Sequence, residues 1–172
     1  MTVTNCIARP FDLIRCPYLG VVTRLELYDE AHVLNPPVGD PPPTAEVIAA
    51  IRRVNRLVAI SLSGIPITDP FVAPTPPDGH EIPYPPKLTE MDFSHCQMTD
   101  DVVISLLDAG LFRRLKRIVL GGNPLTDQAA VELADRLAPV RTVEQLNLQR
   151  TNIGTAGQAA LLAAFGSRVD LF

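Results

Sequence analysis

Three stretches of this chain follow one pattern: Leu88–Asp100, Leu115–Asp127 and Val143–Gly154. Each reads apolar-x-x-apolar-x-apolar-x-x-(Cys/Asn/Thr)-x-apolar, and their starts lie 27 and 28 residues apart. Apolar residues at helical spacing follow each one: Val102, Leu106 and Leu107; then Ala130, Leu133 and Leu137; then Ala160, Leu161 and Phe165. A short alternation such as Met91-x-Phe93 or Leu146-x-Leu148 buries one face of a strand. A unit of one strand, one turn and one helix cannot bury its own apolar face, so neighbouring units must stack. The period therefore predicts parallel strands side by side, with Phe93, Leu120 and Leu148 adjacent on successive rungs.

Two earlier copies are degenerate. Leu57–Asp69 keeps the strand and an Ile-Thr-Asp exit, and Val22–Glu30 keeps the strand alone, with a return helix expected over Ala45–Val54. The chain closes on Val169-Asp170-Leu171-Phe172, which reads as a last short strand. Proline interrupts the early copies. Of 17 prolines, five lie in 36–43 and eight between Pro66 and Pro86. Proline has no backbone donor and a fixed φ, so neither stretch is helix interior or central strand. Both read as insertions, 36–43 and 70–86, that bridge repeats as stiff loops. As an alternative they are extended ligands for aromatic grooves.

At the ninth position of each copy a side chain must satisfy backbone groups where the chain leaves the strand. An Asn amide does so with donors and an acceptor. Asn123 fits, Cys96 and Thr151 fit more weakly, and Ile65 predicts a wider turn. The Thr-Asp pairs at 68/69, 99/100 and 126/127 read as helix starts capped by the Thr oxygen.

This pattern resembles the leucine-rich-repeat family. The period with a full helix is similar to the ribonuclease-inhibitor-like class, and the Cys96 copy to the cysteine-containing class found in F-box proteins. The resemblance is good over 88–165, fair over 22–69 and absent over 1–18. Glu30, Ile65 and Thr151 depart from the Asn or Cys expected at their position. It implies an α/β fold: a leucine-rich-repeat solenoid with a curved parallel sheet inside, helices outside, about six strands and two Pro-rich loops. Residues 1–21 form an N-terminal cap in this reading, and 22–172 the repeat domain.

In such a solenoid the outward strand side chains line the concave sheet. The third column reads Arg24, Ala59, Glu90, Arg117, Gln145, Arg168. The fifth reads Glu26, Ser61, Asp92, Val119, Asn147, Asp170, and the seventh Tyr28, Ser63, Ser94, Gly121, Gln149, Phe172. Aromatic and Arg residues most often anchor interfaces. The candidate protein-binding residues are therefore Arg24, Glu26, Tyr28, Glu90, Asp92, Arg117, Asn147, Gln149 and Arg150.

Catalytic and metal-binding alternatives are weak. Asp92 and Ser94 share a strand face while His95 is opposite or in the turn, which does not make a triad. His32, His80 and His95 are scattered, and Cys6, Cys16 and Cys96 have no ligand spacing. Gly121-Gly122-Asn123-Pro124 lacks the Lys and Ser/Thr of a phosphate loop and reads as a repeat turn. The Arg113–Arg117 cluster reads as a helix end and solvated loop. No catalytic residue, metal or cofactor is assigned.

The chain is 47% hydrophobic and carries a net charge of -4, enough to build a core and the wrong sign for a nucleic-acid footprint. Its first 100 residues hold seven Lys/Arg against twelve Asp/Glu, so the acidity is N-terminal. No apolar run has membrane-spanning length, and no secretory leader or glycosylation sequon is evident. Three cysteines cannot pair evenly, which favours a reducing compartment. The expected role is a non-enzymatic protein-interaction module or accessory subunit, intracellular and cytoplasmic. A mitochondrial location is the alternative, since the ATP synthase subunit s type is similar in size and pattern. The partner is a protein, with no nucleic acid, no membrane insertion, and a place in a multisubunit complex open. Less favoured readings are a substrate-recognition adaptor of a ubiquitin-ligase-type complex, which resembles the cysteine-class copy, and a GTPase regulator of the Ran-activating type. The final strand carries no polar cap, so that end is expected to accept a partner or join a longer assembly.

Overall fold

The structure is a computed structural model that describes residues 2–6, 22–28, 54, 56–70 and 85–172, with the backbone alone at 2–6, 27 and 28. The expected helix over 45–54, apart from a buried Val54, and most of both proline insertions lie outside the described residues. So do His32, His80, Cys16 and the side chains of Cys6 and Tyr28.

Seven strands form one parallel sheet in sequence order: β1 (Thr2–Cys6), β2 (Arg24–Tyr28), β3 (Ala59–Ser61), β4 (Glu90–Asp92), β5 (Arg117–Val119), β6 (Gln145–Asn147) and β7 (Val169–Asp170). Three described helices return the chain: α1 (Asp100–Asp108), α2 (Asp127–Leu137) and α3 (Thr155–Phe165). Single turns of 3-10 helix follow α1, α2 and α3 before the next strand. The register runs Leu25, Ile60, Met91, Ile118, Leu146, Val169, so the fourth position of every copy meets its equivalents. The expected six strands are thus present with one more. β1 lies where a cap was expected, and Thr2–Cys6 has Val3 as its one large aliphatic, too little for the repeat pattern to reveal it.

The rungs are longer than their strands. The carbonyl at position two of four copies accepts two N–H groups from the next: Thr23 from Val58 and Ala59, Val58 from Thr89 and Glu90, Thr89 from Lys116 and Arg117, Lys116 from Glu144 and Gln145. Beyond the strands the ladder continues, with Leu62 N–H donating to Asp92 O, Phe93 to Val119 O, Leu120 to Asn147 O and Leu148 to Asp170 O, each 2.8 Å. Phe93, Leu120 and Leu148 are fully buried on successive rungs, as the period requires. Buried residues from strands and helices form one continuous cluster, and Phe93 meets Phe112 edge-to-face with ring centroids 6.5 Å apart.

In the four rungs whose turn lies among the described residues, the chain leaves the strand through a left-handed residue at position eight: Gly64 (φ 79°), His95 (57°), Gly122 (70°) and Arg150 (55°). Position nine then closes the turn in four different ways. Asn123, 1% exposed, donates through Nδ2 to Phe93 O and Leu120 O, both 2.8 Å, and accepts from Met98 N–H at 3.0 Å. Cys96 donates its thiol to Leu62 O at 3.1 Å, and Thr151 its hydroxyl to Leu148 O at 2.8 Å. Ile65 has no polar side chain, yet the turn is not wider. Its own N–H reaches Leu62 O at 3.0 Å because Gly64 takes the left-handed conformation without cost.

The Thr-Asp signals work differently from the simple cap expected. Thr126 does accept from Gln128 N–H, at 3.3 Å, but Thr99 makes no side-chain cap bond. The aspartates do the wider work. Asp100 accepts the Thr126 N–H at 2.8 Å and also its hydroxyl, and Asp127 accepts the Gly154 N–H at 2.6 Å. Each carboxylate therefore ties its helix start to the start of the next helix, where negative charge is also favoured.

Candidate functional site

The third, fifth and seventh positions of each copy face away from the helices and form an open face of the sheet. On it Arg24 of β2 reaches across Ala59 of β3 to Glu90 of β4, Nη2 to Oε2 at 3.0 Å, and lies 3.8 Å from Glu26. The span is possible because alanine is the residue between them. Arg117 donates from Nε to Gln145 Oε1 at 3.1 Å, and Lys116 pairs with Glu144 at 2.8 Å, which raises the lysine pKa. These pairs are solvent-exposed and contribute little to stability.

The fifth column serves the turn as well as the face. Asp92 Oδ1 accepts the Ser94 N–H at 2.9 Å, and Asn147 Oδ1 accepts the Gln149 N–H at 3.1 Å. Asn147 Nδ2 reaches Asp170 at 3.4 Å, and Gln149 Nε2 reaches Asp170 at 3.0 Å and the Phe172 carbonyl. The open face thus has two linked clusters. Arg24, Glu26, Glu90 and Asp92 surround β3, with Arg117 at their margin, and Asn147 and Gln149 join Asp170 at the far end. Arg150 stands apart, exposed at the left-handed turn position. Tyr28 has its backbone in β2, and its side chain lies outside the described residues.

The relief of the face follows from side-chain size. β3 contributes Ala59 and Ser61, both small, between the longer Arg24 and Glu26 of β2 and Glu90 and Asp92 of β4. The result is a depression of about 170 Å³ over β3, lined by Arg24, Glu26, Ala59, Ser61, Glu90, Asp92 and Arg117 among others. Ser61 was part of the fifth column in sequence but not singled out. Its significance comes from burial beneath its neighbours, which composition does not show.

Ser94 Oγ donates to Ser63 Oγ at 2.9 Å, while His95 sits in the exposed turn above Gly122. No hydrogen bond among the described residues links His95 to Asp92 or Ser94, so the three make no relay. Arg113 and Arg114 occupy the 3-10 turn after α1, and Arg168 donates to Val143 O, Phe165 O and Ala164 O. Arg168 is therefore committed to closing the end of α3. Burial raises the pKa of the Cys96 thiol well above its ordinary range, and the nearby Asp92 charge pushes the same way. Among the described residues no cluster of His, Cys, Asp or Glu could hold a metal, and no helix is long and apolar enough to cross a membrane.

A family model for leucine-rich repeats matches residues 84–107, the rung built on β4 and α1. That match falls on one of seven rungs joined in the same register. That rung is a leucine-rich repeat, and the sheet and helices around it have the architecture of a leucine-rich-repeat solenoid. The open face is the concave side of the solenoid, and such repeats in general serve protein–protein interaction. No curated protein matches the chain.

Proposed function

We propose that this leucine-rich-repeat chain is a non-enzymatic interaction module or accessory subunit that holds a protein partner on its concave face. The observation that carries the reading is the charged frame around β3. Arg24, Glu26, Glu90, Asp92 and Arg117 stand together on one face, held in register by backbone ladders that leave their positions little freedom. Rigid presentation of several charges favours a partner with the complementary arrangement and disfavours others. The linked Asn147–Gln149–Asp170 cluster extends the same face toward the last rung. The buried, protonated Cys96 thiol is compatible with a reducing intracellular compartment.

Crosslinking affinity capture from native extract tests the reading, with the wild type beside a Glu26→Lys/Asp92→Lys/Gln149→Ala variant. Loss of the wild-type partner set from the variant is the expected outcome. The same crosslinked partners on both would remove the concave face from consideration.

A further inference from the structure

At the floor of the depression over β3 lies a polar group without a partner. Ser61 is 8% exposed, and its Oγ has no hydrogen-bond partner among the described residues. A buried hydroxyl left unmade costs free energy, so one that persists at the base of a depression marks a place for a ligand group. In the sheet register Ser61 sits between Glu26 and Asp92, so three oxygen acceptors stand in one row. Asp92 uses Oδ1 on the Ser94 N–H, which leaves its second oxygen for another donor. Glu26 is already engaged, with Arg24 at 3.8 Å, and because a carboxylate accepts several hydrogen bonds it still adds negative charge and acceptor capacity to the row. The row carries two formal negative charges. The nearest cation, Arg24, is drawn over Ala59 toward Glu90, two residues along the strands.

We infer that this notch receives the ammonium of a lysine side chain from the protein partner. The inference rests on the concave-face reading and names the chemistry of its central contact. A lysine ammonium has three donors on a compact head, matching one hydroxyl and two carboxylates, and its thin stem enters between the flanking side chains. Guanidinium is planar and wide, and suits a single carboxylate met edge-on better than three acceptors in a row.

The probe is n-butylammonium chloride, titrated at low ionic strength into the labelled full chain and followed by amide chemical shifts. Saturable shifts centred on residues 26, 61 and 92 are expected. Tetramethylammonium, which has the charge but no N–H, should bind at least about fivefold more weakly. Ser61→Ala should weaken butylammonium about fivefold while the melting temperature holds or rises, because the lost hydroxyl had no partner. Asp92→Asn keeps the oxygen that caps Ser94 and should weaken it about tenfold. Shifts that do not saturate, equal response to tetramethylammonium, or indifference to both substitutions would overturn the inference. A peptide selected from a displayed random library separates the two levels of the reading. If butylammonium fails while such a peptide loses binding to Arg117→Glu, the notch is wrong and the concave face stands. If selected peptides ignore every substitution on the open face, the concave face itself is wrong.

Discussion

Replacing Asn123 by alanine removes one side chain and strands three backbone groups. In the native turn its amide donates to Phe93 O and Leu120 O and accepts from Met98 N–H, at 2.8, 2.8 and 3.0 Å, with the residue 1% exposed. Two of these groups, Phe93 O and Met98 N–H, belong to the preceding rung, so the amide ties two repeats together. A buried polar group that loses its partner costs about 1–3 kcal/mol. Three such groups, partly relieved by water entering the space left by the amide, give about 3–5 kcal/mol. That is a large share of the roughly 5–15 kcal/mol by which domains are stable. Asn123→Cys should cost less, because the Cys96 thiol makes the equivalent bond to the preceding rung, to Leu62 O at 3.1 Å. The assay is urea unfolding followed by circular dichroism, compared at constant m-value. A loss under about 1 kcal/mol for Asn123→Ala would refute the reasoning. So would a cysteine variant less stable than the alanine one.

Four further outcomes follow from the packing. Gly157→Ala should lower the melting temperature: alanine gains about 1 kcal/mol in helix propensity, but its Cβ would lie 2.6 Å from Asp127 Oδ1 and 2.8 Å from Ala130 and Ile153 carbons. A variant more stable than the wild type would show that α2 and α3 are less closely packed. A double-mutant cycle on Arg24 and Glu90 should give a coupling of about 0.5 kcal/mol that shrinks in high salt, since both side chains are partly exposed; a coupling above about 2 kcal/mol would contradict that exposure. Cys96 should resist a thiol reagent in the native state and react on unfolding, read by peptide mapping. Its folded pKa lies above the ordinary 9.0, so the folded state holds the proton more tightly. The stability this contributes is complete below that value and declines as pH rises past it. The wild type should therefore lose stability above about pH 9 more steeply than Cys96→Ala, and parallel curves would refute the linkage.

The repeat made most of the fold legible. Phe93, Leu120 and Leu148 stand where the period puts them, because a unit that must stack fixes its own register. Position nine was legible at Asn123, whose amide chemistry matches the job, but not at Ile65. There a left-handed glycine one residue earlier closes the turn without a side chain. The aspartates after the N-cap threonines were visible as helix starts, while their bonds to the next helix depend on stacking distance and leave no local signal. β1 was missed because Thr2–Cys6 borrows its register from β2 and carries no repeat of its own. Of the candidate site, alternation put Arg24, Glu26, Glu90, Asp92 and Arg117 on one face. The notch did not emerge, since it arises from small Ala59 and Ser61 lying between larger neighbours on two other strands.

The account depends on successive rungs presenting equivalent positions side by side on the open face. Ser63 and Ser94 occupy the seventh column of adjacent rungs, with their hydroxyl oxygens 2.9 Å apart. Parallel strands about 4.8 Å apart put two such cysteines within disulfide reach, whereas three rungs of separation do not. The direct measurement is mild oxidation of Ser63→Cys/Ser94→Cys beside Ser63→Cys/Gln149→Cys, with the linked peptides identified by mass spectrometry. The first pair should crosslink nearly completely and the second not at all. A 63–149 bond, or a 63–94 pair that stays reduced in a folded chain, would contradict the stacked register on which the binding face is built.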